Sequence, residues 1–152
     1  MQHSPTRRSL ATLALASGVA GTLLATTRQA SAGNQLAVAV SGYDVTSYQS
    51  GTPQRGIPRF NATYNGAIWY FQSEATRDLF KADPARYAPQ YDGYCAWAAS
   101  QNYKAPGNPE VWRVVDGKLY IKVHEQAQQM WLRDVPGNIA KANTNWPRIH
   151  PF

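Results

Sequence analysis

An internal duplication is the strongest constraint this sequence places on its fold. Residues 65–83 match residues 116–134 at a constant offset of 51: few identities survive, but the physical roles do. Asn65-Gly66 and Asp116-Gly117 are dipeptides that supply two positive φ angles, the requirement of a type I′ hairpin turn, and each lies between strand-like runs. Residues 60–64 are therefore expected to pair with 68–71, and 111–115 with 119–123. Each hairpin then runs into a helix. Ser73 is a good N-cap, followed by an apolar stripe of Ala75, Leu79 and Phe80; Ala127, Met130 and Trp131 form the matching stripe. Asp83-Pro84 is expected to end the first helix and Pro136-Gly137 the second. Two such hairpin-helix units predict an α+β fold, a small antiparallel sheet packed by helices. Between them, residues 93–100 predict a short helix entered through Gly93. A last helix is expected near 138–143, before a tail holding Asn145, Trp146, Pro147 and Arg148.

The duplication occupies only part of the 152 residues, and the N-terminus has a different character. Arg7-Arg8 precedes an apolar run over 10–25, and Ala30-Ser31-Ala32 is an A-x-A cleavage site, so 1–32 are expected to be a signal peptide of the twin-arginine type. That predicts a domain over 33–152 in a periplasmic or secreted location. Removing Arg7, Arg8 and Arg28 takes the 15 basic and 9 acidic residues to 12 and 9, so a formal +6 becomes +3. The remaining basic residues form no run or stripe, which leaves nucleic-acid binding unsupported. No later stretch approaches the roughly 18 apolar residues of a membrane span. The single cysteine excludes an intramolecular disulfide and any multi-cysteine zinc module.

Three stretches carry a family likeness. They are Gly42-Tyr43-Asp44-Val45-Thr46-Ser47-Tyr48; Trp69-Tyr70-Phe71-Gln72-Ser73 with Arg77-Asp78 and Phe80; and, most specifically, Asp83-Pro84, Tyr87-Ala88-Pro89-Gln90-Tyr91 and Gly93-Tyr94-Cys95-Ala96. Over about residues 36–147 the chain resembles the exported, stand-alone YHS domain proteins. The resemblance implies an α+β domain and an association with heavy-metal and copper handling. In the metal-transport members the hairpin-to-helix junction reads Phe-Cys-Ser-x-x-Cys, whereas here it reads Phe71-Gln72-Ser73-Glu74-Ala75-Thr76. Gln and Thr are hard, weak ligands for Cu(I) or Zn(II), so that site does not carry over.

The remaining chemistry centres on Cys95. At a helix start its thiolate would be stabilised by unpaired N–H groups and the helix dipole, making it reactive or metal-binding; as a free cysteine it equally suits burial as a small hydrophobe. His124 matches the N-cap Ser73 although histidine is a poorer cap, which leaves it either an exposed neutral residue or a partner for Cys95 in a soft copper or zinc pair. Met130 is expected to pack in the core and His150 to be solvated. Asp44 either caps a short helix or orients a tyrosine, and Asp92-Gly93 reads as a turn. The aromatic set is mostly core, but Tyr43, Tyr91, Tyr94 and Trp97, with Asp44, could line a small-molecule pocket. Gly-x-Ser-x-Gly, His-Glu-x-x-His, phosphate-loop and dinucleotide signatures are all missing from the sequence. The expectation is a module binding copper, another soft metal or a small ligand near Cys95. The alternatives are a thiol-based redox protein or enzyme using Cys95, and a structural or protein-interaction domain.

Overall fold

Asn65 and Gly66 adopt φ of 46° and 70°, and Asp116 and Gly117 adopt 50° and 72°, so both dipeptides make the left-handed turns their chemistry suits. The structure is a computed structural model that describes residues 36–150; the expected signal peptide, 1–32, lies outside the described residues. In chain order the first half comprises β1 (Ala37–Val38), β2 (Tyr43–Asp44), β3 (Gln54–Arg55), β4 (Ile57–Tyr64), β5 (Ala67–Phe71), α1 (Glu74–Ala82) and α2 (Pro84–Tyr87). The second half comprises α3 (Ala96–Ser100), β6 (Asn108–Val115), β7 (Lys118–Lys122), α4 (Glu125–Leu132) and α5 (Val135–Ile149).

The duplication extends well beyond the hairpin-helix units. With the same offset of 51, β4 maps onto β6 and β5 onto β7 end to end, and α2 starts where α5 starts. Both hairpins carry the same irregularity: Ile57 pairs with Phe71 and Asn61 with Tyr70, as Asn108 pairs with Lys122 and Trp112 with Ile121. Upstream, the left-handed turn of Val40 (φ 47°), Ser41 (50°) and Gly42 (78°) recurs as Tyr91 (58°), Asp92 (51°) and Gly93 (80°). Asp44 and Cys95 then cap the next helical segment in each copy, and Asp83 and Asp134 cap α2 and α5 through their carboxylates.

The fold is α+β, with its strands in three small sheets among the described residues: β1-β5-β4, β2-β3 and β6-β7. The two hairpins thus share no ladder, and β1 joins the first one in parallel. They are held together by side chains instead. Tyr43 and Tyr48 of the first copy pack with Leu119 and Ile121 of the second. Phe71, Phe80, Trp69 and Val45 form the first copy's core; Trp131, Tyr120, Tyr91, Ala96, Ala99 and Ala142 form that of the second. Among the described residues no helix is long and apolar enough to cross a membrane.

Several local expectations change. Pro136-Gly137 does not end a helix but opens one: proline has no N–H to lose in a first turn, and the Gly137 N–H donates to Asp134 Oδ1 at 3.0 Å. The last helix accordingly runs through the expected tail to Ile149, with Pro147 inside it. Trp146 anchors that extension, its ring 5.5 Å from Tyr91 and 5.7 Å from Tyr94. The expected apolar stripe of α1 is rotated. Ser73 and Thr76 form a reciprocal capping box, and Phe80 turns inward against Trp69 and Phe71, leaving Ala75 exposed and Leu79 52% exposed. Met130, the match of Leu79, is only half-buried on α4.

Candidate functional site

Cys95 is 0% exposed and is the N-cap of α3: its Sγ accepts the Ala98 N–H at 3.4 Å, and its own N–H donates to the Ala105 carbonyl at 2.9 Å. It packs against Ala98 and Ala127 with Trp97, Ala105 and Val123 alongside, so the thiol lies in an apolar cluster. His124 sits between Val123 and Ala127, but its side chain is exposed, and Nδ1 caps α4 by accepting the Ala127 N–H at 3.0 Å. Histidine thus performs the role of Ser73, using a ring nitrogen as the acceptor. The two predicted soft ligands border one cluster, one sealed inside it and one on its surface. Among the described residues, no three or more His, Cys, Asp or Glu gather in an arrangement that could hold a metal ion.

Beside this cluster lies a residue that sequence reasoning passed over as one of several scattered cations. Lys122 is 0% exposed, and its Nζ sits 4.4 Å from the centroid of the Trp131 ring and donates to the Tyr120 carbonyl at 3.2 Å. The duplication explains the site's shape: Lys122 stands where the first copy has Phe71, and Trp131 where it has Phe80, whose rings are 5.0 Å apart. An aromatic pair in one copy has become a cation–π pair in the other. Burial, and then the charge of Arg113, push the Lys122 amine down to about 7; Cys95 and Glu125 oppose this. On α4, Gln128 Oε1 and Trp131 Nε1 are buried with no hydrogen-bond partner, so the second copy's core carries more uncompensated polarity than the first.

A feature with room for a ligand lies elsewhere, at a junction between the two copies. It is a cleft of about 720 Å³. From the first copy it takes Val38, Val40, Ser41, Asn65 and Trp69. The second copy contributes Asp92, Gly93, Tyr94, Lys104, Gly107 and His150. Val40, Ser41, Asn65 and Asp92 are four of the seven described non-glycine residues with positive φ, and a left-handed β-branched valine is costly. The backbone of Gly107 passes so close to Gly93 that a Cβ on Gly107 would lie 2.0 Å from the Gly93 carbonyl oxygen.

One wall is a chain of aromatic and charged contacts. Lys104 Nζ lies 4.4 Å from the Tyr94 ring centroid, Tyr94 meets Trp146, and Trp146 meets the His150 ring at 4.9 Å. His150 Nε2 lies 2.6 Å from Asp92 Oδ2. His150, expected to be solvated, therefore closes one end of the wall, because α5 continues far enough to carry it there. Asp92 is more than a turn residue for the same reason.

Of the residues expected to line a pocket, Tyr94 does. Tyr43 is buried, and its hydroxyl donates to Glu110 Oε1 at 3.0 Å, which with burial raises its pKa. Asp44 is fully buried and tied to the backbone, accepting from the Thr46 N–H and hydroxyl and from the Gln72 N–H at 2.7–2.9 Å. Tyr91 is buried and donates to Asn143 Oδ1 at 2.9 Å. Trp97 packs beside the second core and the Cys95 cluster. The sequence held a usable sign of the cleft in Gly42-Tyr43 and Gly93-Tyr94, which repeat at the offset of 51. Compared with known proteins, the chain matches no family model, no curated protein and no solved structure.

Proposed function

We propose that this chain is a non-catalytic, exported ligand-binding domain whose site is the cleft between its two copies. The carrying observation is the cleft's composition and size. About 720 Å³ lies within the range of small-molecule sites, roughly 300–1,000 Å³. Its surface combines an apolar body, Val38, Val40 and Trp69, with a few polar groups from Tyr94, Lys104 and the His150–Asp92 pair. Left-handed backbone concentrated at its rim fits a place where function rather than stability sets the conformation. Export is supported by the pattern of residues 1–32, and the domain type by the likeness to exported YHS proteins. This reading keeps the small-ligand expectation and moves it from the Cys95 thiol to the segment just before it, Asp92-Gly93-Tyr94. A copper or redox role for Cys95 receives less support, since its sulfur is enclosed and already used as a cap.

Ligand-observed NMR with a library of small fragments tests the proposal. Fragments should bind the wild-type protein and lose binding to Val38→Trp, which fills the cleft from an exposed position. Absence of any fragment binding, or hits that bind Val38→Trp equally well, would overturn it.

A further inference from the structure

Tyrosine follows the left-handed turn in both copies, but the two phenols have different surroundings. In the first copy the Arg55 guanidinium lies 4.9 Å from the Tyr43 ring centroid, and the Tyr43 hydroxyl donates to the Glu110 carboxylate at 3.0 Å. The second copy repeats the first part of this arrangement. Lys104 Nζ lies 4.4 Å from the Tyr94 ring centroid, although Lys104 comes from two positions earlier in its copy than the residue matching Arg55. The second part is missing: among the described residues the Tyr94 hydroxyl makes no hydrogen bond and Lys104 makes no ion pair. The residue that matches Glu110 is Arg59, whose guanidinium lies over Phe60 instead. Asp92, the carboxylate that does line the cleft, is engaged by His150.

The open copy therefore has a cation and a phenolic donor facing a ligand-sized space, without the carboxylate that completes the closed copy. Ser41 and Asn65, also on the cleft, bring further hydroxyl and amide groups that can donate. Resting on the cleft as the ligand site, we infer that its ligand is a small organic carboxylate. The carboxylate accepts from the Tyr94 hydroxyl and pairs with the Lys104 ammonium, as Glu110 does with Tyr43 near Arg55. The ligand's apolar or aromatic body lies toward Trp69 and Val38. A charge-assisted hydrogen bond from a phenol plus a flexible ammonium is a short-range, orientation-selective clamp for one carboxylate.

Titration of the protein with benzoate, benzamide and inorganic phosphate, followed by calorimetry, tests this. Benzoate should bind, and benzamide, of the same shape but uncharged, should bind about tenfold more weakly, the scale of one hydrogen bond to a charged group. Tyr94→Phe, which keeps the ring against Trp146, and Lys104→Gln should each weaken benzoate by a similar factor. Tyr43→Phe in the closed copy should leave it unchanged. Benzamide binding as tightly as benzoate, or a Tyr94→Phe protein with unaltered affinity, would overturn the carboxylate subsite while leaving the cleft intact as a site. Phosphate competing as well as benzoate would overturn the preference for carboxylate over anions in general. Failure of both aromatic probes, together with no fragment binding sensitive to Val38→Trp, would remove the site itself.

Discussion

Lys122 shows what a single substitution inside a duplicated core does. A fully buried ammonium over Trp131, with one hydrogen bond to the Tyr120 carbonyl, replaces the ring that Phe71 presents to Phe80 in the other copy. The cation–π contact offsets part of the desolvation, and the amine answers the rest by giving up its proton near pH 7. The unfolded chain holds that proton up to its ordinary value of 10.5. Between about pH 7 and 10.5 the unfolded state therefore binds more protons than the folded one, and stability rises with pH; below about 7 the cost is present in full. Lys122→Met should raise stability at pH 7 by about 1–4 kcal/mol, as apolar replacement of buried charge often does. It should also flatten the dependence of stability on pH between 7 and 10. Urea unfolding of both proteins across that range measures each effect, and a Lys122→Met protein less stable at pH 7 would refute the account.

At the level of elements, the two copies solve the same capping problem with different chemistry. Helix α1 starts from Ser73 in a box with Thr76, whereas α4 starts from the Nδ1 of His124. A side chain that reads as a poor cap works because its ring nitrogen reaches the Ala127 N–H at 3.0 Å, and that same bond occupies the nitrogen as an acceptor. Removing it in His124→Ala is expected to cost about 1 kcal/mol, while His124→Ser, which restores the chemistry of the first copy, should hold stability near wild type. Thermal melts of the two variants at neutral pH provide the comparison. Elements also differ in reach: α2 spans Pro84–Tyr87, but its counterpart α5 continues to Ile149, and that extension sets Trp146 behind Tyr94 and brings His150 to the cleft.

For the described domain as a whole, the two copies depend on each other. Their hairpins exchange no ladder hydrogen bonds, so cohesion rests on packing: Leu119 and Ile121 of one against Tyr43 and Tyr48 of the other, reinforced by the Tyr48 hydroxyl donating to the Pro109 carbonyl at 2.8 Å. Leu119→Ala should therefore cost about 2–5 kcal/mol, the range for a large buried truncation. It should lower one transition common to far- and near-ultraviolet circular dichroism, since both cores lean on that cluster. Two separated transitions would show that the copies unfold independently.

Much of this architecture was legible in the chain. Asn65-Gly66 and Asp116-Gly117 specify their hairpins locally, because their backbone angles need no tertiary help, and the offset of 51 then places two helices. The α+β class follows from those elements. Helix ends were harder: Pro136 suits the first turn of a helix as well as the end of one, and burial of Trp146 against Tyr91 and Tyr94 decides between them. The site was least legible. Tyr43 and Tyr94 occupy matching positions and look alike in sequence, yet one is closed by Glu110 and the other opens on the cleft. Cys95 likewise owes its enclosure partly to Ala127, far along the chain, and Lys122 to the Trp131 ring that α4 folds over it. Local sequence determined the repeated elements because turn and cap energies act over a few residues. Only the tertiary structure decided which polar groups were sealed and which were left facing a cavity, because burial and partnering are set by how the elements pack within and between the copies.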